Sequence, residues 1–377
     1  MFNSILNSFK LNIAVGTDKD FNDYQQSKIR AIFDGNGFYD SQSDRINTIF
    51  TCKKILCDTL SKLPLNVTRN GKKDTEHRLY NLIHFAPNQY QTTNVFVSTL
   101  MNHLSSGNAW ATINKQGLKV NSIDILQPSQ FVKPELNEAG VLVYYFKING
   151  EEKPINYNDC IHLMGFSKDG ILGECAENSA LAKQLSIIYQ ANQVINSYYR
   201  NGLHTNKVIK SMGNVDSKAY NLSQADWQKA NSGSIKAGEM INLPYGSEIQ
   251  ELKLEFADAQ LIPTIEFNSK QIASAFGIPL WMLGLEQNSK SIEESLLAFQ
   301  VQTIQPLAKI FKEELSRKLL TESERKEGVA IEFNLQAMLA ADSAARASYL
   351  KTLKDAAIIS ANDAALIEGF DEYEGGQ

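Results

Sequence analysis

From Ala180 to Tyr199 the sequence runs at helical spacing with a single ionised side chain, Lys183. Leu181, Leu185, Ile188, Ile195 and Tyr199 fall on one stripe. Gln184, Gln190, Asn192, Gln193 and Asn196 occupy faces where a solvated helix carries Glu and Lys. A helix of about 22 residues spans roughly 33 Å. Uncharged amides around its circumference suit a helix flanked by neighbours on both sides, as in an assembly of repeated copies. A central helix inside a larger monomeric core is the alternative.

The 377 residues are enough for two or three cores, so a multi-part α+β protein is expected. Hydrophobic content of 43% and charged content of 21% argue against disorder. The net charge of -5 gives no whole-chain basic signal of a nucleic-acid binder. It is concentrated at one end: residues 330–377 hold Arg346, Lys351 and Lys354 against eight carboxylates, and the rest of the chain balances. Cys52, Cys57, Cys160 and Cys175 form no CxxC pair and read as free thiols of a reducing compartment. Met1–Lys10 is too short and polar for a secretion signal, and no apolar run reaches the length of a membrane span.

Along the chain, the polar, Gly/Asn/Asp-rich first forty residues suggest a loose arm. Ile46 to Leu63 has helical spacing stopped by Pro64, and Leu65–Arg69 reads as a strand turning at Asn70-Gly71. Thr93 is expected to cap a helix over Asn94–Ser106, closed by Gly107. Ala109–Asn114, Lys119–Leu126, Val141–Ile148 and Cys160–Met164 then suggest a small antiparallel barrel or sandwich. After the uncharged helix, strands are expected at Lys207–Ser211, Met240–Leu243 and Ile249–Phe256, with a short helix at Ser223–Ala230. A second helix runs from about Pro263 to Phe276, ended by Gly277 and Pro279, and Leu283–Lys290 reads as a loop. Ser291–Glu294 is a capping box heading a long helix, Ile292–Leu320, kinked at Pro306. A strand at Ile331–Leu335 and helices at Ser343–Ala356 and Ala361–Ile367, the latter capped by Ser360, close the chain.

Eight stretches in this order resemble the portal proteins of tailed bacteriophages with a lambda-like assembly pathway. They are Ile49–Leu65 (IFTCKKILCDTLSKLPL), His84–Asn88 (HFAPN), Gly107–Ala111 (GNAWA) and Phe166–Gly173 (FSKDGILG). Further on come Gln271–Gly284 (QIASAFGIPLWMLG), Ile304–Leu320 with its internal proline, Glu332–Asp342 (EFNLQAMLAAD) and Ser360–Gly376 (SANDAALIEGFDEYEGG). None is a catalytic signature, and the case lies in their consistent order over residues 45–376.

The resemblance implies an α+β portal fold. Residues 1–175 would form a wing of helices plus a small antiparallel β-barrel, and 176–203 the first stem helix. Residues 204–258 would form an α/β clip, 259–276 the second stem helix and 277–291 a tunnel loop. The long kinked wing helix and its strand would span 292–335, and a helical crown 336–377. The implied assembly is a ring of about twelve copies at one capsid vertex of the virion, built in the host cytoplasm. Double-stranded DNA would pass through it without sequence preference. Large terminase, head-tail connector and the major capsid or scaffolding protein are the implied partners. Leu181, Leu185, Ile188, Asn192, Ile195 and Tyr199 would be the inter-subunit stem face. Lys270, Gln287, Asn288, Ser289 and Lys290 would be the DNA-facing tunnel surface, making weak, register-free phosphate contacts. A strongly basic lumen would instead bind phosphates with a steep counterion-release term and stall sliding. Trp281 departs from the family pattern and is expected either to anchor the loop against a neighbour or to fill a core.

No phosphate-binding GxxxxGK[ST] loop, GxSxG elbow or HExxH zinc motif occurs, and no cofactor, metal or membrane role is expected. His77, His84, His103, His162 and His204 read as structural. Phe166–Gly173 lacks the GxG core of a ligand loop and reads as the lead into the uncharged helix. Glu293 and Glu294 are adjacent on a helix and do not face each other. The reading is therefore of a non-enzymatic chain. The competing hypothesis is a small soluble enzyme with an unrecognised active site between the β domain and the helical half.

Overall fold

The computed structural model describes residues 47–117, 119–200, 207–211, 247–251, 261–285, 292–335, 343–362 and 364. The expected N-terminal arm, the strand at Met240–Leu243, the helix at Ser223–Ala230, Ser291 and most of the final helix lie outside them.

Helix α1 (Asn47–Lys62) buries Ile49, Cys52, Leu56, Cys57 and Leu60 along one stripe and ends before Pro64. Strand β1 (Leu65–Arg69) turns into β2 (Lys72–Lys73) through Asn70 and Gly71, whose φ values of 52° and 79° are those of a two-residue type I′ hairpin. After α2 (Tyr80–His84) comes α3 (Thr93–Ser105). Its cap is Thr92 and not the expected Thr93. Thr92 has extended backbone and its hydroxyl accepts from the Val95 amide, whereas Thr93 Oγ1 is buried and donates to the Ile83 carbonyl at 2.8 Å.

Strands β3 (Asn108–Gln116), β4 (Lys119–Leu126), β5 (Phe131–Leu136), β6 (Leu142–Ile148), β7 (Glu151–Asn156) and β8 (Cys160–Met164) follow. They form two three-stranded antiparallel sheets, ordered β4-β3-β8 and β5-β6-β7. Among the described residues no strand pairing joins them, so the sheets stack as a sandwich, one of the two forms that the strand pattern suggests, and not as the barrel that the resemblance implied. Trp110, Leu126 and Cys160 from one sheet meet Tyr144 and Phe146 from the other in one core. Alternation in the sequence does not mark β5 and β7. Both are edge strands carrying a proline, Pro134 and Pro154, and several charges, the composition that edges tolerate and that hides alternation.

Helix α4 (Ala182–Arg200) leads to the antiparallel pair β9 (Lys207–Ser211) and β10 (Ser247–Glu251), the described part of the expected clip. Helix α5 (Leu261–Ala275) packs beside α4. The expected long helix is interrupted: α6 (Ile292–Phe299), a π-helical turn at Gln300–Ile304, then α7 (Gln305–Leu319) with Pro306 in its first turn. The wide turn lets the chain run on past a residue that has no N–H to give to the preceding turn. Helix α8 (Glu322–Lys326) opens with a Thr321/Glu324 capping box. Strand β11 (Val329–Phe333) returns to pair with β1, Leu65 opposite Phe333, and α9 (Ser343–Asp355) is the last full element described.

The principal core is built from both ends of the chain. Leu60 of α1, Val67 of β1, Leu100 of α3, Ile161 of β8, Phe311 of α7 and Ile331 of β11 belong to one buried cluster. The Phe311 and Phe333 rings cross edge to face at 5.6 Å.

Candidate functional site

The helix pair α4/α5 sits on α1 through a small apolar seam. Leu181, Leu185 and Ile188 are buried together with Ile49 of α1 and Ile272 of α5. These three were expected to face a neighbouring copy. The structure corrects that: they are the chain's own seam, because α5 and α1 already cover the stripe. Asn192 is exposed, Ile195 is half-buried, and the side chain of Tyr199 lies outside what the structure describes. Gln184 Nε2 donates to Gln271 Oε1 at 3.0 Å, closing the seam with an amide pair.

The outer surface of α4 carries Lys183, Ser186, Gln190, Gln193, Asn196 and two apolar residues, Tyr189 at 44% and Val194 at 52% exposure. At 3.6 residues per turn, Tyr189 and Val194 lie about 100° and 120° from Ile188 in opposite senses. One apolar side chain therefore projects from each flank of the seam.

Of the expected DNA-facing residues, Lys270 is the one within the described residues. It stands on α5 about 160° from the seam residue Ile272, and its ammonium lies 3.3 Å from Glu266, one turn earlier. Gln287, Asn288, Ser289 and Lys290 lie outside the described residues. The base of that loop is fixed. Gly277 adopts φ 67°, and a Cβ there would meet Thr303 Oγ1 at 2.8 Å; that same hydroxyl donates to the Gly277 carbonyl at 2.7 Å. Loop base and π-turn are thus joined. Trp281 is half-buried and its Nε1 has no partner, so it supplies bulk and not a hydrogen bond.

The approach to α4 is held by contacts that spacing alone did not reveal. Lys53 of α1 and Glu177 form an ion pair of 2.6 Å with both side chains buried, and Lys53 Nζ also donates to Ser106 Oγ at 3.1 Å. Asn108 Nδ2 donates to the Gly173 carbonyl and Asn108 Oδ1 accepts the Gly173 amide, both at 2.7 Å. Gly107 at φ 106° and Gly173 approach so closely that a Cβ on Gly173 would stand 2.0 Å from the Gly107 carbonyl oxygen. The stretches GNAWA and FSKDGILG, distant in sequence, are the two halves of this one contact.

Beside it lies the cluster an enzyme reading would single out. His162 Nε2 faces Asn108 Oδ1 at 2.9 Å and Nδ1 faces Tyr144 Oη at 3.0 Å. Asn108 Oδ1 only accepts, so Nε2 carries the proton and Nδ1 accepts from the tyrosine. Burial, with Lys318 nearby, pushes this neutral imidazole down to about 4. Glu314 of α7 accepts the His162 amide at 3.1 Å, and burial raises its carboxyl. Burial also lowers Lys318 to about 8, with Glu314 opposing; its ammonium donates to the Tyr157 carbonyl and sits 3.0 Å from the Tyr157 ring centroid. Cys160, buried beside them, is pushed up to about 12. These groups face one another and fasten the β domain to α7. Perturbed titration here reflects a closed joint.

Among the described residues, no group of three or more His, Cys, Asp or Glu side chains is placed to hold a metal, and no helix is long and apolar enough to cross a membrane. All four cysteines are free thiols.

The family model described as "Phage portal protein" matches residues 47–369. The chain belongs to the phage portal protein family. It is 22% identical over 345 residues to the "Portal protein" of Enterobacteria phage HK97, covering 88% of this chain and 80% of that one. It is 21% identical over 295 residues to the "Probable portal protein" of Streptomyces phage phiC31, covering 74% and 65%. Among solved structures, an HK97-family phage portal protein from Corynebacterium diphtheriae superimposes with a TM-score of 0.61 at 13% identity, over 81% of this chain and 97% of that one. A chain from the virion of a native gene transfer agent particle gives 0.58 at 15%, over 98% and 99%. The family match accounts for the order of the elements over residues 47–369 without calling on an active site. The cluster at His162 is therefore read as architecture, and the enzyme hypothesis is set aside.

Proposed function

We propose that this portal-family chain assembles into a closed ring of about twelve copies at one capsid vertex, through which double-stranded DNA enters and leaves. The observation that carries the reading is the family match over residues 47–369. The wing is assigned to residues up to 175, the stem helices to α4 and α5, and the clip to the segment around β9 and β10. The tunnel loop follows Gly277, and the crown lies beyond residue 336. Large terminase and head-tail connector would dock at the clip end, and the major capsid or scaffolding protein around the wing.

Two features support the stem assignment. The outer face of α4 is nearly free of charge and bears an apolar residue on each flank, as a helix between two neighbours requires. The described tunnel candidate, Lys270, is paired with Glu266. A half-neutralised cation attracts phosphate weakly and releases it, which suits sliding. The exposed amides of α4 add no fixed charge.

Light scattering of the purified chain, with negative-stain imaging, tests the proposal. About twelve copies of a 42.1 kDa chain give particles of about half a megadalton with a central hole. A stable single chain at high concentration would overturn it.

A further inference from the structure

Strand β11 lies at the edge of its sheet, and its register decides which of its backbone groups look outward. At the two ends of its pairing with β1, the Asn70 amide donates to the Gly328 carbonyl and the Asn334 amide to the Pro64 carbonyl, both at 2.9 Å. Bonded and non-bonded positions alternate along an antiparallel pair. Ala330 and Glu332 therefore bond to β1, while Val329, Ile331 and Phe333 turn their amides and carbonyls away from it. On that outer side the Ile331 amide is capped by Ser316 Oγ of α7 at 3.0 Å. Phe333, the next outward residue, has no such cap: among the described residues nothing bonds to its amide or its carbonyl.

Beside this edge, α7 and the π-turn leave a groove of about 430 Å³ walled by Val301, Pro306, Phe333 and Leu335. The lysines on its rim are already paired, Lys309 with Glu313 at 3.6 Å and Lys312 with Glu332 at 2.5 Å, so the groove does not select by charge. Gln300 is buried next to it. Its Nε2 donates to the Leu335 carbonyl at 3.3 Å, and its Oε1 has no partner. An open strand edge, a lone amide oxygen and apolar walls fit one class of ligand. It is an uncharged, extended peptide that bonds through its backbone and seats alternate side chains. The chain carries such a segment outside the described residues. Leu11-Asn12-Ile13-Ala14-Val15 bears no charge, places its large apolar residues at the period of a strand, and ends at Gly16. Residues 17–46 tether it to α1 and span up to about 100 Å when extended. Because α1 packs against the π-turn, the tether starts on the body that holds the groove.

We propose that Leu11–Val15 adds as a short strand to the outer edge of β11 in its own chain, bonding to the Phe333 backbone and seating Leu11, Ile13 and Val15 toward the groove. The contact lies within one chain and does not depend on the ring reading. Oxidative cross-linking of the full chain in a Cys175→Ser background tests it. Val301→Cys is combined in turn with Leu11→Cys, Asn12→Cys, Ile13→Cys, Ala14→Cys and Val15→Cys. The expected result is a link inside single chains from the odd positions, with yields at Asn12→Cys and Ala14→Cys at least fivefold lower. Equal yields at all five positions overturn the strand, links between chains overturn the own-chain seating, and no link at any position overturns the contact. Hydrogen exchange gives a second readout. The Phe333 amide should exchange at least tenfold faster in Ile13→Asp than in wild type, at an unchanged unfolding temperature. The Ile331 amide, held by Ser316, should keep its rate. A Phe333 amide that exchanges alike in both proteins overturns the pairing.

Discussion

Lys53 Nζ and Glu177 Oε1 stand 2.6 Å apart with both side chains buried, bolting the lead-in of α4 to the first helix of the chain. Removing one partner leaves the other charge without its counter-ion, which costs about 3–5 kcal/mol, whereas replacing both with apolar residues of similar size is near neutral. Lys53→Met is therefore expected to lower the unfolding temperature sharply. Lys53→Met combined with Glu177→Leu should recover most of that loss in thermal scans of the same material. A double variant no better than the single would show that the pair is not the unit of stabilisation.

The Gly107/Gly173 contact makes a paired prediction. A Cβ on Gly173 collides with backbone, which cannot yield as a flexible side chain does. Gly173→Ala is expected to cost about 3 kcal/mol. Gly170 has φ 76° but open space around its missing Cβ, so Gly170→Ala should cost only about 1 kcal/mol, the left-handed backbone penalty. Equal losses in denaturant titrations would contradict the close approach.

His162 gives a pH dependence. Its folded value of about 4 lies below the ordinary 6.5, so the unfolded chain binds more protons between those limits. The neutral imidazole's contribution is present above about pH 6.5 and is lost as pH falls toward 4. Between pH 7 and pH 5 the loss is about 2 kcal/mol. His162→Asn, which does not titrate, should show a flatter stability profile across this window, whatever its stability at pH 7. Parallel profiles for the two proteins would remove the imidazole as the cause.

Much of the fold was legible because it is local. The Asn70-Gly71 hairpin, β9 at Lys207–Ser211 and the Gly277 break follow from residues a few positions apart. What escaped was non-local. β11 pairs with β1 across more than 250 residues, and nothing near Val329 names Arg69 as its partner. Asn108 and Glu177 look ordinary until the fold brings Gly173 and Lys53 to them. Periodicity marks the Leu181, Leu185 and Ile188 face of α4 as covered, but not by which chain. Its covering residues, Ile49 and Ile272, lie more than 200 positions apart.

Coverage by the chain's own helices decides what substitutions on α4 should do. Ile188 lies in the seam with α1 and α5, so Ile188→Asp places an unpaired charge in the chain's own core, at a cost of several kcal/mol. It should give unfolded or aggregated material with lost helical circular dichroism, not a clean monomer. Tyr189→Glu and Val194→Glu replace exposed side chains, so the single chain should keep its fold. In the ring each would set a carboxylate against a neighbouring stem, one on each flank, and either should stop assembly. A folded 42.1 kDa species by light scattering is the expected result for both. If both variants form full-size rings, neighbouring copies do not meet along the flanks of α4, and the inter-subunit part of the stem assignment fails even though the fold stands.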